Sequence, residues 1–87
     1  MKLKTLDDFV WGCMSDGRWW TFWELQDAIK KITGIYYGEP TISASIRNLR
    51  KDYAREKYKL PLLDEVVIKK RRSSGKGYKY KLLIGEK

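Results

Sequence analysis

The sequence predicts a small α+β domain: three helices, a short strand between the first two, and a C-terminal β-hairpin. Two segments before Gly34 repeat apolar side chains at helical spacing, each behind a threonine able to cap its start. A third amphipathic segment opens at Pro40-Thr41. The last third of the chain holds two runs rich in β-branched and aromatic residues, parted by a cationic turn. With 87 residues and 43% hydrophobic content the chain can build one core, so a single domain over 1–87 is expected.

Helix 1 is expected over 5–14. Thr5 caps it, Asp7 and Asp8 suit the positive end of its dipole, and Leu6, Phe9, Val10 and Cys13 share one face. That makes Cys13 a small core residue rather than a nucleophile. Ser15-Asp16-Gly17 ends the helix, and Arg18-Trp19-Trp20 forms the short strand, 18–20. Helix 2, over 21–33, opens on the capping box Thr21-x-x-Glu24, with Trp20 and Leu25 as its hydrophobic staple. Phe22, Leu25, Ile29 and Ile32 line its inner face and Gly34 stops it.

Helix 3 is expected over 40–55, started by Pro40 in the first turn or Thr41 at the cap. Ile42, Ile46, Leu49 and Tyr53 fall in a narrow arc, whereas Ser43, Ala44, Arg47, Asn48, Lys51 and Arg55 lie opposite. Pro61 guarantees that this helix has ended. The hairpin is expected over 65–84, its strands carrying Val66, Val67 and Ile68 on one side and Tyr78, Tyr80 and Leu82 on the other. Opposed residues in a hairpin have numbers of constant sum. An even sum, from a three-residue loop Ser73-Ser74-Gly75, sets Val66 and Ile68 on one face with Tyr80 and Leu82. It also sets Lys69 against Lys79, with Arg71 and Lys81 on the same outward face. Like charges in register are unfavourable, and a phosphate backbone would offset that cost.

The net charge of +8 is unevenly spread: residues 1–40 hold five Lys/Arg against six Asp/Glu, and residues 41–87 hold fourteen against five. Such asymmetry points to a surface that meets a polyanion. There is no histidine, and a single cysteine can form no internal disulfide, so no metal, cofactor or nucleophile–base pair is expected. The isolated carboxylates Asp7, Asp8, Asp64 and Glu65 suit caps or surface positions, and Gly75-Lys76-Gly77 is a turn before a strand rather than a phosphate-cradling loop. An enzyme is therefore not expected. No apolar run approaches the ~20 residues of a membrane span, and the start lacks a secretory stretch, which together suggest a cytoplasmic location.

The order helix, short strand, helix, helix, basic hairpin resembles a winged helix-turn-helix domain. The string Ile42-Ser43-Ala44-Ser45-Ile46-Arg47-Asn48-Leu49-Arg50-Lys51 is similar to the recognition helix of small prokaryotic and phage regulators, often of Ser-Ala-Arg-Ile-Arg-Asp-Leu-Arg type. Here Ser45 stands where that group commonly has arginine, and Asn48 replaces an acid. The resemblance implies sequence-specific binding of double-stranded DNA, in transcriptional control or in a phage or mobile element. Helix 3 would enter the major groove, and the hairpin, the wing, would lie along backbone or minor groove. Ser43, Ala44, Arg47 and Asn48 would approach base edges, arginine suiting guanine and asparagine adenine. Thr41, Arg50, Lys51, Lys69, Lys70, Arg71, Arg72, Lys76 and Lys79 would hold phosphates. The competing expectation is a protein-interaction or homodimer surface through Trp11 and Trp23, which both lie off their helices' apolar faces. RNA is the weaker option, because Tyr78 and Tyr80 share the hairpin's inner face instead of forming a stacking sheet.

Overall fold

A computed structural model describes residues 4–61, 65–72 and 77–83 as an α+β fold of four helices and a two-stranded antiparallel sheet. Helix α1 is Leu6–Met14, α2 Phe22–Thr33, α3 Glu39–Asn48 and α4 Asp52–Lys57; strands β1 and β2 are Val67–Arg71 and Tyr78–Leu82. Both early helices begin on reciprocal capping boxes, Thr5 with Asp8 and Thr21 with Glu24, which satisfy otherwise orphaned backbone donors. Gly34 ends α2 at φ 79°, a left-handed conformation that costs glycine little, and its N–H donates to the Lys30 carbonyl at 2.7 Å. Helices α1, α2 and α3 pack against one another. Their shared core is Val10, Met14, Leu25, Ile29, Ile42, Ile46 and Leu49, closed below by Ala54, Tyr58, Leu60, Val66, Val67 and Leu82. None of the helices among the described residues is long and apolar enough to cross a membrane.

The third helical segment departs from expectation. Instead of one helix to residue 55, the backbone turns extended at Lys51 (φ −77°, ψ 154°) and restarts as α4. At 100° per residue, Ala54 and Tyr58 would point away from Ile42 and Ile46 in a continuous helix. The break turns them inward, where both are buried. Tyr53, expected beside Leu49 in the core, is 55% exposed as a result. Arg55, expected on the outer face, donates through Nε to the Arg50 carbonyl at 2.8 Å and through Nη1 to the Pro61 carbonyl at 3.2 Å, which holds the turn. After α4, Lys59 adopts φ 57° so that the Leu60 N–H can reach the Arg55 carbonyl at 2.8 Å. On α2, Ile32 is 58% exposed rather than inward, because the buried stripe runs through Leu25, Gln26 and Ile29 and passes it by.

The hairpin register is odd, not even. Val67 opposes Leu82, Ile68 opposes Lys81, Lys69 opposes Tyr80, Lys70 opposes Lys79 and Arg71 opposes Tyr78. Val66 and Val67 are both buried, which strict alternation within a strand would forbid; Val66 achieves it by preceding β1. Trp20 fixes the phase. It exchanges two backbone hydrogen bonds of 2.7 Å with Tyr80, turning Tyr80 and Leu82 towards the helices. This one-residue bridge is all that the expected 18–20 strand becomes. The loop is closed by the Arg72 N–H on the Gly77 carbonyl, and Gly77 takes a positive φ of 97°. Residues 73–76, with Gly75 and Lys76, lie outside the described residues.

Candidate nucleic-acid interface

Helix α3 turns Ile42, Ser45 and Ile46 into the molecule and leaves Thr41 and Arg47 exposed, with Ser43, Ala44 and Asn48 half-buried. Small residues on this side follow from sequence: without a bulky side chain at Ser43 or Ala44, a ligand can approach the helix backbone closely. The Arg47 guanidinium folds back along the helix and donates to Ser43 Oγ at 3.2 Å. Arg50, one turn on, donates to the Val67 carbonyl at 3.0 Å and so ties the end of α3 to the base of β1. Its expected task as a phosphate ligand is thereby shared with a structural one.

Between α3 and the hairpin runs a groove of about 260 Å³, lined by Phe22, Ser43, Ile46, Arg47, Arg50, Lys69 and Tyr80. Its floor is the stack of Phe22 on Tyr80, centroids 4.9 Å apart. Three cationic side chains and a hydroxyl thus converge from two elements far apart in sequence. Burial, with Tyr78 as the next contributor, pushes the Tyr80 hydroxyl above its ordinary range. At neutral pH it is therefore a neutral O–H.

The odd register divides the wing cations by face. Lys69 and Arg71 share the groove side with Tyr80 and Tyr78, and the Lys69 ammonium lies 4.9 Å from the Tyr78 ring centroid. Lys70 and Lys79, grouped at the sequence level with Lys69 and Arg71, stand opposite one another on the far face, together with Lys81. There Trp19 receives the Lys70 and Lys81 ammonium groups at 4.8 and 5.8 Å, a cation–π arrangement that eases the repulsion. The pair expected at Lys69 and Lys79 does not form: Lys69 opposes Tyr80, and it is Lys70 that opposes Lys79. Arg72, half-buried, lines a second recess, and Lys51 is exposed at the start of α4.

Sequence reasoning missed Asp7. Its carboxylate accepts from Ser45 Oγ, from Asn48 Nδ2 at 3.4 Å and from Tyr53 Oη at 3.5 Å. Asn48 therefore leans towards α1, on the flank of α3 away from the groove. A carboxylate accepts only, so the Asn48 amide nitrogen faces Asp7 and its carbonyl oxygen points elsewhere. No periodicity within α3 could have revealed a partner in another helix. Trp11 and Trp23 also part company: Trp11 stacks on Tyr58 at 5.0 Å, whereas Trp23 is 59% exposed. No family model, curated protein or solved structure matches the chain.

Proposed function

We propose that this protein binds double-stranded DNA sequence-specifically as a winged helix-turn-helix, serving as a small transcriptional or phage/mobile-element regulator. The observation that carries the proposal is the groove in which Ser43, Arg47 and Arg50 of the α3 segment meet Lys69 of the hairpin. A helix in the major groove and a ribbon in the neighbouring minor groove are separated by one sugar–phosphate strand. That strand has to run between them, and a channel lined with cations and a hydroxyl suits it. Element order gives further support: the bridge at Trp20 pairs with the second hairpin strand, joining the ribbon to the helices as a wing requires.

On this reading Ala44 approaches base edges from the outer side of α3, and Arg47 reaches a base edge from the helix side of the groove, past the phosphate that Arg50 and Lys69 hold. Asn48 offers its carbonyl oxygen to an exocyclic amine such as that of adenine. Thr41, Lys51, Lys69, Arg71 and Arg72 hold phosphates, and Lys70 and Lys79 act on a neighbouring stretch of backbone. Selection of bound sequences from a random duplex pool at moderate salt is the deciding experiment. An enriched motif is expected, and recovery of an unenriched pool would overturn sequence specificity. The competing reading, a protein-interaction module, draws on the exposure of Trp23 and of Ile35 and Tyr36 in the α2–α3 connector. Trp11, stacked on Tyr58, lends it nothing.

A further inference from the structure

We infer that a second recess, next to the groove, accepts an unpaired nucleobase, so that the protein prefers duplex DNA carrying an extrahelical base. This rests on the DNA-binding reading and adds a ligand class to it. The recess has a volume of about 180 Å³ and lies where the start of α2, the start of α3 and the hairpin meet. The Phe22–Tyr80 stack lines both this recess and the first groove, so the two adjoin.

The two compartments differ in chemistry. The first presents Arg47, Arg50, Lys69 and the Ser43 hydroxyl and suits a bare phosphodiester. The second is lined by Trp23, Tyr78, Glu39 and Arg72. Glu39 would repel a phosphate, yet it accepts hydrogen bonds from the ring N–H and amine groups on base edges. Trp23 and Tyr78 remain 59% and 41% exposed in a chain with a well-filled core, and the Lys69 ammonium lies over one face of the Tyr78 ring. The Lys69 ammonium beside Tyr78 and the Arg72 guanidinium supply positive charge for the attached phosphate. A planar ligand with donors on its edge and an anion on its tail meets all of these conditions; a base joined to the strand in the first groove is such a ligand.

The test compares three duplexes of one sequence: fully paired, with a single extrahelical 2-aminopurine, and with an extrahelical abasic site. Affinities are measured by anisotropy, and 2-aminopurine emission reports stacking. Wild type is expected to bind the 2-aminopurine bulge about tenfold more tightly than the paired duplex, with quenched emission. The abasic bulge should show no such gain. Trp23→Ala and Tyr78→Ala should each abolish the preference, and Trp23→Ala should leave paired-duplex affinity and the circular dichroism spectrum unchanged. Equal affinity for bulged and paired DNA would overturn the inference and leave the proposed function standing. A preference that persists in both variants, or with the abasic bulge, would mean that bending is being read and would also overturn it. Failure to bind any of the three duplexes would reject the proposed function and this inference together.

Discussion

Two adjacent carboxylates at the start of α1 serve different partners: Asp7 meets Ser45 and Asn48 of α3 and Tyr53 of α4, and Asp8 meets the end of α4. Asp8 is buried and receives the backbone N–H groups of Lys4 and Thr5, the Tyr58 hydroxyl and the Lys57 ammonium. Burial pushes its carboxyl up, but these donors outweigh burial and hold it well below the ordinary range. The unfolded chain then binds a proton at higher pH than the folded one, so acid favours unfolding. The stabilisation is complete above the unfolded value of about 4 and fades as pH falls towards the folded one. Asp8→Asn should cost about 1–3 kcal/mol at neutral pH, since it sets an amide against donors. It should also flatten the acid limb of a melting-temperature profile; an unchanged limb would point to another titrating group. Asp7 instead reaches Ser45 and Asn48 of α3, and Arg47, on the groove side of that helix, carries the base-reading expectation. Arg47→Ala should cost about 1–3 kcal/mol on a selected site and much less on random duplex, as read by competition binding. Arg47 was legible in the sequence because its place on the polar side of α3 depends only on local spacing. The contacts of Asp7 and the bond from Arg50 to the Val67 carbonyl were not, because each joins distant segments.

At the level of elements, the capping boxes and Gly34 could be read directly, since a cap is settled within four residues of chain. The break at Lys51 carries no glycine or proline to announce it; its only signal is that Ala54 and Tyr58 fall out of phase with Ile42 and Ile46. The hairpin register failed for a related reason. Counting apolar residues per face ignored Trp20, whose bridge to Tyr80 decides which face of β2 turns inward. Lys59 offers a local test, because a side chain at φ 57° is strained and glycine is not. Lys59→Gly should therefore raise stability by up to about 1 kcal/mol in urea unfolding. A loss would mean that its side-chain contacts outweigh the strain. Lys79→Glu sets opposite charges across the ladder from Lys70 and should stabilise the hairpin by a few tenths of a kcal/mol, visible as a small rise in midpoint.

Across the whole molecule, all of the positive excess belongs to the segment from Thr41 onward, and the fold brings three of its cations, Arg47, Arg50 and Lys69, to one groove. Binding that neutralises five or six phosphates should give a log–log salt slope of about −4 to −6. Arg72→Ala should make that slope about one unit shallower without altering sequence preference. A salt-independent affinity would contradict a backbone-gripping surface.

The hairpin is moored at its root. Val67 and Leu82 are embedded, Trp20 clasps Tyr80, and the Arg50 guanidinium pins the Val67 carbonyl. From that root about 13 Å of ribbon extends to Arg71. Such a cantilever magnifies: a slight pivot at the mooring sweeps the far cations through a wide arc while the jaw formed with Arg47 hardly changes. On the proposed reading, the same few residues would follow double helices of differing curvature, with Arg50 as the bolt that sets the span.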